Sequence, residues 1–419
     1  MLSKSTMRLQ AKDFLLLSLC VFLCFTQLKT LLPFIPTLLL MLAGAFFTVA
    51  YSKNYYLQKY FVWAVIYVIV LAFNYFSGDK YFDNINNVVE ETCVLLVPAA
   101  LSYYIITNKK LKLAKWLLFS FMLLIIYSSI ATFLVVQIFP DAVRYSVYLL
   151  NIGDTQTINL LYGMGMVTYR FPHAIPAFIP VLVYIIKSKG GYKRQRWKML
   201  LRWFALISLL SLLLLVYLSN ATTALLVSML SLILSFFILG KDNKYNVPLV
   251  MVIAVLFLPF VINSDWLVSL LNDVGSILGQ DTSFTDRFDD IRFYSQTGNA
   301  EGDLGGRFNK YDISISCFLE SPLIGSDKAP GGHSAVIDRL ASLGLVGWIP
   351  YILFVFAMIK KQRRLLSMQV ASYYFVGVAS ALLILFSKDM SNWDTWFFAF
   401  CLLPVGLWVA NIDFNKTVE

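Results

Sequence analysis

Long apolar runs alternate with short polar ones along most of the chain. Runs of roughly spanning length fall at 13–28, 31–51, 60–77, 91–107, 115–138, 172–187, 199–218, 222–240, 247–263, 344–359, 369–387 and 392–410. A helix needs about 20 apolar residues to cross the hydrocarbon core, since each residue advances about 1.5 Å. The alternation of a membrane barrel strand is absent. In lipid, every backbone N–H and C=O must find its partner inside the protein, which leaves helices as the spanning elements. The pattern therefore predicts an all-α integral membrane protein of about twelve transmembrane helices, a single polytopic domain over residues 1–419.

The polar segments give these spans a direction. With the N-terminus inside and strict alternation, 23 of the 34 basic residues fall on the inner side and 20 of the 24 acidic ones on the outer side. Lys and Arg accumulate in short cytoplasmic loops, so both termini are expected in the cytoplasm. The first apolar run follows Lys4, Arg8 and Lys12 but lacks a small-residue cleavage site, so a retained span is expected there.

Two outer segments exceed simple connectors, 139–171 and 264–343. The second is long enough to need structure of its own. Its apolar spacing predicts one helix over Trp266, Leu267, Leu270, Leu271 and Val274. It predicts another over Phe308, Tyr311, Ile315, Phe318 and Leu319, ended by Pro322 and Gly325.

Composition agrees with the pattern and narrows the chemistry. The chain is 59% hydrophobic and 14% charged, against about 25% charged for soluble domains. Cys20, Cys24, Cys93, Cys317 and Cys401 are odd in number and scattered, which gives neither a disulfide framework nor metal-ligand spacing. Two histidines without an HExxH or similar arrangement predict no metal site, and no cofactor is expected. No phosphate-cradling G-x-x-x-x-G-K-[ST] motif occurs, and nothing points to a nucleic-acid partner.

Function is therefore expected in the outer loops. Arg144, Arg170, Arg287, Arg292, Arg307, Lys310 and Arg339 lie there against the general charge bias. Arginine suits bidentate recognition of phosphate or carboxylate, although a mixed solvated surface carries the same residue types. Two arginines stand out by context. Arg170, in 168-TYRFPHAIPAFIP-180, sits at the mouth of a membrane helix, where a charge faces a wet cavity or snorkels to the interface. Arg307 follows Gly305 and Gly306 and opens an amphipathic helix, an arrangement suited to anions. His333, in 330-PGGHSAVIDRLASLGLVGW-348, is the large loop's one histidine. It can take a proton near neutral pH or bind phosphate when charged, and equally can cap or pack. His173 reads more simply as a residue lining a helix interface.

Together these patches resemble the bacterial O-antigen polymerase and O-antigen ligase superfamily. The shared features are about twelve spans and a large late periplasmic loop. To these are added His333-Ser334 before Leu343-Gly344-Leu345-Val346-Gly347, Gly306-Arg307 before Ser321-Pro322-Leu323-Ile324-Gly325, and Arg170-Phe171. Ser after the histidine leans towards the polymerase branch. So does the lack of arginine in 219-SNATTALL-226, where ligases carry one.

The resemblance implies a GT-C-like, metal-independent glycosyltransferase of the bacterial inner membrane, with its site on the periplasmic face. Its substrates would be undecaprenyl-pyrophosphate-linked glycans, elongated into O-antigen or capsular polysaccharide. A chain-length regulator and a flippase are the partners it implies. On this reading Arg170 and Arg307 hold the pyrophosphate, and His333 deprotonates the acceptor or binds phosphate. Arg287, Arg292, Arg339 and Tyr311 bind substrate, and Asp303 or Asp338 orients His333 or holds sugar hydroxyls. The alternatives are the ligase, which transfers glycan to lipid A-core, and a flippase or transporter. A transporter would show internal repeats and mid-span charge, which this sequence lacks.

Overall fold

The structure, a computed structural model, describes residues 10–24, 34–77, 85–188, 195–237 and 302–415, with single positions between 269 and 297. Its regular elements are all helical. Apart from single turns at Lys53–Tyr56 and Met368–Val370, they are α1 (Ala11–Cys24), α2 (Phe34–Tyr51), α3 (Phe61–Ser77), α4 (Ile85–Thr107), α5 (Leu111–Ile138), α6 (Ala142–Ile152) and α7 (Thr155–Gly163). Then come α8 (Phe171–Lys187), α9 (Gln195–Leu218), α10 (Thr222–Phe237), α11 (Gly302–Glu320), α12 (Ala335–Leu365) and α13 (Ala371–Ser387). The last, α14, starts at Trp393–Phe397, passes through a π turn at Phe398–Leu402 and continues over Leu403–Asn415.

Among the described residues, six helices are long and apolar enough to cross a membrane, and four shorter apolar helices stand at other expected positions. This is a multi-pass membrane protein. The expected span at 247–263 lies outside the described residues, as does nearly all of 264–301. The outer segment 139–171, which sequence spacing left without assigned elements, forms the helical pair α6 and α7.

α8 runs through the centre of the bundle, with Phe171 to Ile185 buried throughout. Pro172, Pro176 and Pro180 each open a turn, and a 3₁₀ turn spans Ile175–Phe178. A proline lacks the N–H that an inner helical turn would use, so it is tolerated at the start of each short segment. Mid-bundle, the Gln362 amide donates to the Ser102 hydroxyl at 2.8 Å and to the Phe400 carbonyl in the π turn at 2.6 Å. Tyr374 donates to the Gln362 carbonyl oxygen at 2.9 Å. A buried amide is tolerated in an apolar bundle because it is bonded in this way.

Several polar contacts between helices fall into two groups. In one, Lys110 meets Asp13 at 3.2 Å, Lys361 donates to Gln58 and Lys187 donates to the Phe236 carbonyl. These residues fall on the side predicted as inner. In the other, Asn220 donates to Asp141 at 2.6 Å, Asn74 to the Ser342 carbonyl and Tyr311 to the Ser387 carbonyl. These fall on the predicted outer side.

Candidate functional site

The region around His333 is built by a helix that breaks. α12 contains one non-helical residue, Gly344, at φ 55° and ψ −167°. Residues 335–343 thus form a separate half-helix ahead of the main span. The turn after α11 fills the break. Leu345 N–H donates to the Pro322 carbonyl at 2.9 Å and Val346 N–H to the Leu323 carbonyl at 3.0 Å. Ser326 N–H donates to the Ala341 carbonyl at 2.9 Å. Backbone groups freed by a break inside an apolar bundle need such replacements. Only glycine fits on either side of this contact. A Cβ on Gly325 would lie 2.0 Å from the Ser342 carbonyl oxygen, and one on Gly344 would lie 2.4 Å from that of Leu323. Both residues also have positive φ. The two patches read separately in the sequence, Pro322-x-x-Gly325 and Leu343-Gly344-Leu345, are halves of one joint.

The half-helix presents His333 just ahead of its N-cap. Ser334 caps it, accepting the Ile337 N–H at 3.2 Å. Asp338 accepts the Ser334 N–H at 2.9 Å and the Ser314 hydroxyl at 2.6 Å. Ser314 in turn accepts the Gly331 N–H at 2.9 Å. A Cβ on Gly331 would lie 2.0 Å from the Lys310 carbonyl oxygen, so this strand of loop runs directly against α11. Ala335 N–H donates to the Lys388 carbonyl at 3.2 Å. With its Ala335 and Ile337 N–H groups already bonded, the end of the half-helix is a brace for the loop.

Around His333 stand groups from three elements. The Tyr311 ring meets the His333 ring edge-on at 5.4 Å, and its hydroxyl donates to the Ser387 carbonyl at 3.1 Å. Burial lifts the Tyr311 hydroxyl above its ordinary value, and the charge of Arg307 works against that rise. Arg307, half-buried on α11, acts electrostatically on both Tyr311 and His173. Lys388, at the corner between α13 and α14, also acts on His173.

His173 is only 1% exposed. Its Nδ1 lies 3.0 Å from the Tyr169 carbonyl, and the Tyr169 ring packs edge-on at 4.9 Å. A carbonyl only accepts, so Nδ1 carries the proton. Among the described residues, Nε2 has no hydrogen-bond partner. Arg170 stands exposed just ahead of α8, and its charge is felt at Tyr162 of α7.

The other expected site residues are dispersed or outside what is described. Arg339 is buried and paired with Glu91 of α4, Nη2 to Oε1 at 2.6 Å. Asp338 braces the backbone flanking His333. Arg287 and Arg292 lie outside the described residues, and Asp303 is described only as helical backbone. Arg307 does not open its helix as the spacing suggested. α11 begins at Gly302, so Arg307 stands in its second turn, about 7.5 Å along the axis from the helix start. Two participants carried too little local signal to be chosen. Lys388 sits in a short connector between apolar runs, and Glu91 finds Arg339 at a separation of 248 residues. Among the described residues, no group of three or more His, Cys, Asp or Glu is placed to hold a metal ion.

No curated protein matches the chain. Residues 206–327 match the model of a family described as O-antigen ligase, a stretch that runs from α9 through α11 and takes in Arg307, Tyr311 and the Pro322–Gly325 turn. Over that stretch the chain is similar to the O-antigen ligases, members of the O-antigen ligase and polymerase superfamily that its own motifs resemble.

Proposed function

We propose that the protein is a polymerase of lipid-pyrophosphate-linked oligosaccharide repeats, working on the outer face of the bacterial inner membrane. The donor is a glycan on undecaprenyl pyrophosphate. The acceptor is a sugar hydroxyl on a second lipid-linked repeat. The hydroxyl oxygen bonds to the donor's anomeric carbon, the bond from that carbon to the pyrophosphate oxygen breaks, and the lipid pyrophosphate leaves with its electron pair. The acceptor's proton passes to His333 or, if His333 binds phosphate, to water.

The supporting observation is the gathering of Arg307, Tyr311 and His333 with the Lys388 corner. Preorganised cations in a water-poor place stabilise a developing phosphate charge better than mobile solvent does. Arg170 and Arg307 are assigned to the pyrophosphate, with Lys388 adding charge nearby. The rigid bracing of the His333 corner suits a group that must hold its place while charge moves past it.

The ligase is the second reading, favoured by the description of the matching family model. Purified protein in lipid vesicles decides between them when given lipid-linked repeats with and without lipid A-core. Elongation of the repeats alone supports the polymerase. Transfer only to lipid A-core establishes the ligase and removes the polymerase assignment.

A further inference from the structure

We infer that the Glu91–Arg339 ion pair is a positioning device for His333, an inference that rests on the reading of His333 as part of the reacting corner. The pair is enclosed: Arg339 is 2% exposed, and the Glu91 side chain 11%. Arg339 donates to the same Glu91 oxygen through Nε at 2.9 Å and Nη2 at 2.6 Å. Tyr67 of α3 donates to that oxygen at 3.1 Å, and the guanidinium lies 5.4 Å from the Tyr351 ring centroid. Arg339 also donates through Nη1 to the Ala335 carbonyl, two residues beyond His333.

A buried ion pair is a poor way to gain stability. Desolvating both charges offsets their attraction, and apolar residues of similar volume often serve as well or better. Its presence here calls for a geometric reason. Residues 335–343 are disconnected from the main span at Gly344, so the span does not set their direction. Contacts with neighbouring elements do. The Ala335 N–H donates to the Lys388 carbonyl, Asp338 ties the first turn to Ser314, the Ala341 carbonyl accepts the Ser326 N–H, Asn74 donates to the Ser342 carbonyl, and Arg339 ties the middle to α4 and α3. Arg339 also reaches the first turn of the half-helix, whose N-cap Ser334 directly follows His333. Without it the half-helix keeps its ends but loses the contact that fixes its roll about its own axis. His333 would then move relative to Arg307, which stands on a different helix.

The test uses full-length protein in vesicles and the elongation of lipid-linked repeats. The wild type must elongate; if it does not, the functional reading fails and the positioning role is judged by whatever transfer the protein performs. The key variant is Glu91→Leu with Arg339→Met, which removes both charges and keeps the volume apolar. The expected result is an unlowered melting midpoint, an unchanged donor KM and a kcat lower by about 10- to 100-fold, the cost of a small misplacement. Elongation at the wild-type rate overturns the inference. If the double variant does not fold, Glu91→Gln decides, since it keeps the shape and a hydrogen-bonding oxygen. A lowered kcat at constant KM supports positioning. An unchanged kcat, with KM constant or raised, overturns it, and a raised KM would make Arg339 a substrate ligand.

Discussion

Each of the two histidines stands edge-on to a tyrosine, Tyr311 beside His333 and Tyr169 beside His173. Their settings differ. His333 is half-buried on a turn ahead of a helix cap, and neighbouring elements brace the backbone on either side of it. His173 is sealed within α8 with its tautomer set by the Tyr169 carbonyl. A ring that must meet a substrate needs fixed surroundings and an open face. A ring that fills a bundle needs only a partner for its proton. Under the proposed function, reaction falls to the first and packing to the second.

The largest effect is expected from His333→Ala, with elongation reduced by about 10²- to 10⁴-fold if the ring handles the proton. His173→Ala should instead leave kcat close to wild type and lower the melting midpoint. Equal losses of kcat from the two would reverse the assignment. Arg307→Ala should reduce kcat by about 10²- to 10³-fold, the scale of a removed charge-stabilising donor, with Arg307→Lys recovering part. A rate insensitive to both substitutions would place the pyrophosphate elsewhere. Gly344→Ala should destabilise the fold by roughly 3 kcal/mol, since it adds both backbone strain and a clash with the Leu323 carbonyl. Thermal unfolding in detergent reads this, and a change under about 0.5 kcal/mol would mean that the joint yields easily.

Smaller effects probe the bracing. Ser334→Ala should cost about 1 kcal/mol through the lost cap, read in the same melting assay. Tyr311→Phe should cost about 1 kcal/mol near neutral pH, by loss of the bond to Ser387. Burial raises the folded-state value of this hydroxyl. Its contribution is therefore fully present below the ordinary tyrosine value and fades as pH rises through the raised one. The difference between wild type and Tyr311→Phe should shrink under alkali; a constant difference would show that the bond does not titrate.

Much of the architecture was legible because lipid imposes length and apolarity locally. The runs at 115–138, 199–218 and 369–387 needed no partner to be recognised, and the described helices fall on them. The start of a span at 344 was also visible, because an apolar run begins there. Its meaning was not visible, since the break is filled by Pro322 and Leu323, which are distant in sequence. The site divides in the same way. His333 was singled out as the one histidine of the large loop, and Arg307 by its neighbouring glycines. Lys388 and Glu91 matter through contacts made only in the folded bundle. Arg339 was singled out for its charge, and its partner changed what that charge does.

The joint between the Pro322 turn and the Gly344 break also fixes distances along the chain. The turn is held to Ala341, Leu345 and Val346, and the residues between are held to α11 and to the Lys388 corner. This stretch therefore acts as a ruler. Adding or deleting one residue between Ser326 and Ala341 would shift His333 along its brace even if every side chain there were kept. Among sequences that use this joint, substitutions in the interval should be common where side chains face outward. Changes in its length should be almost absent.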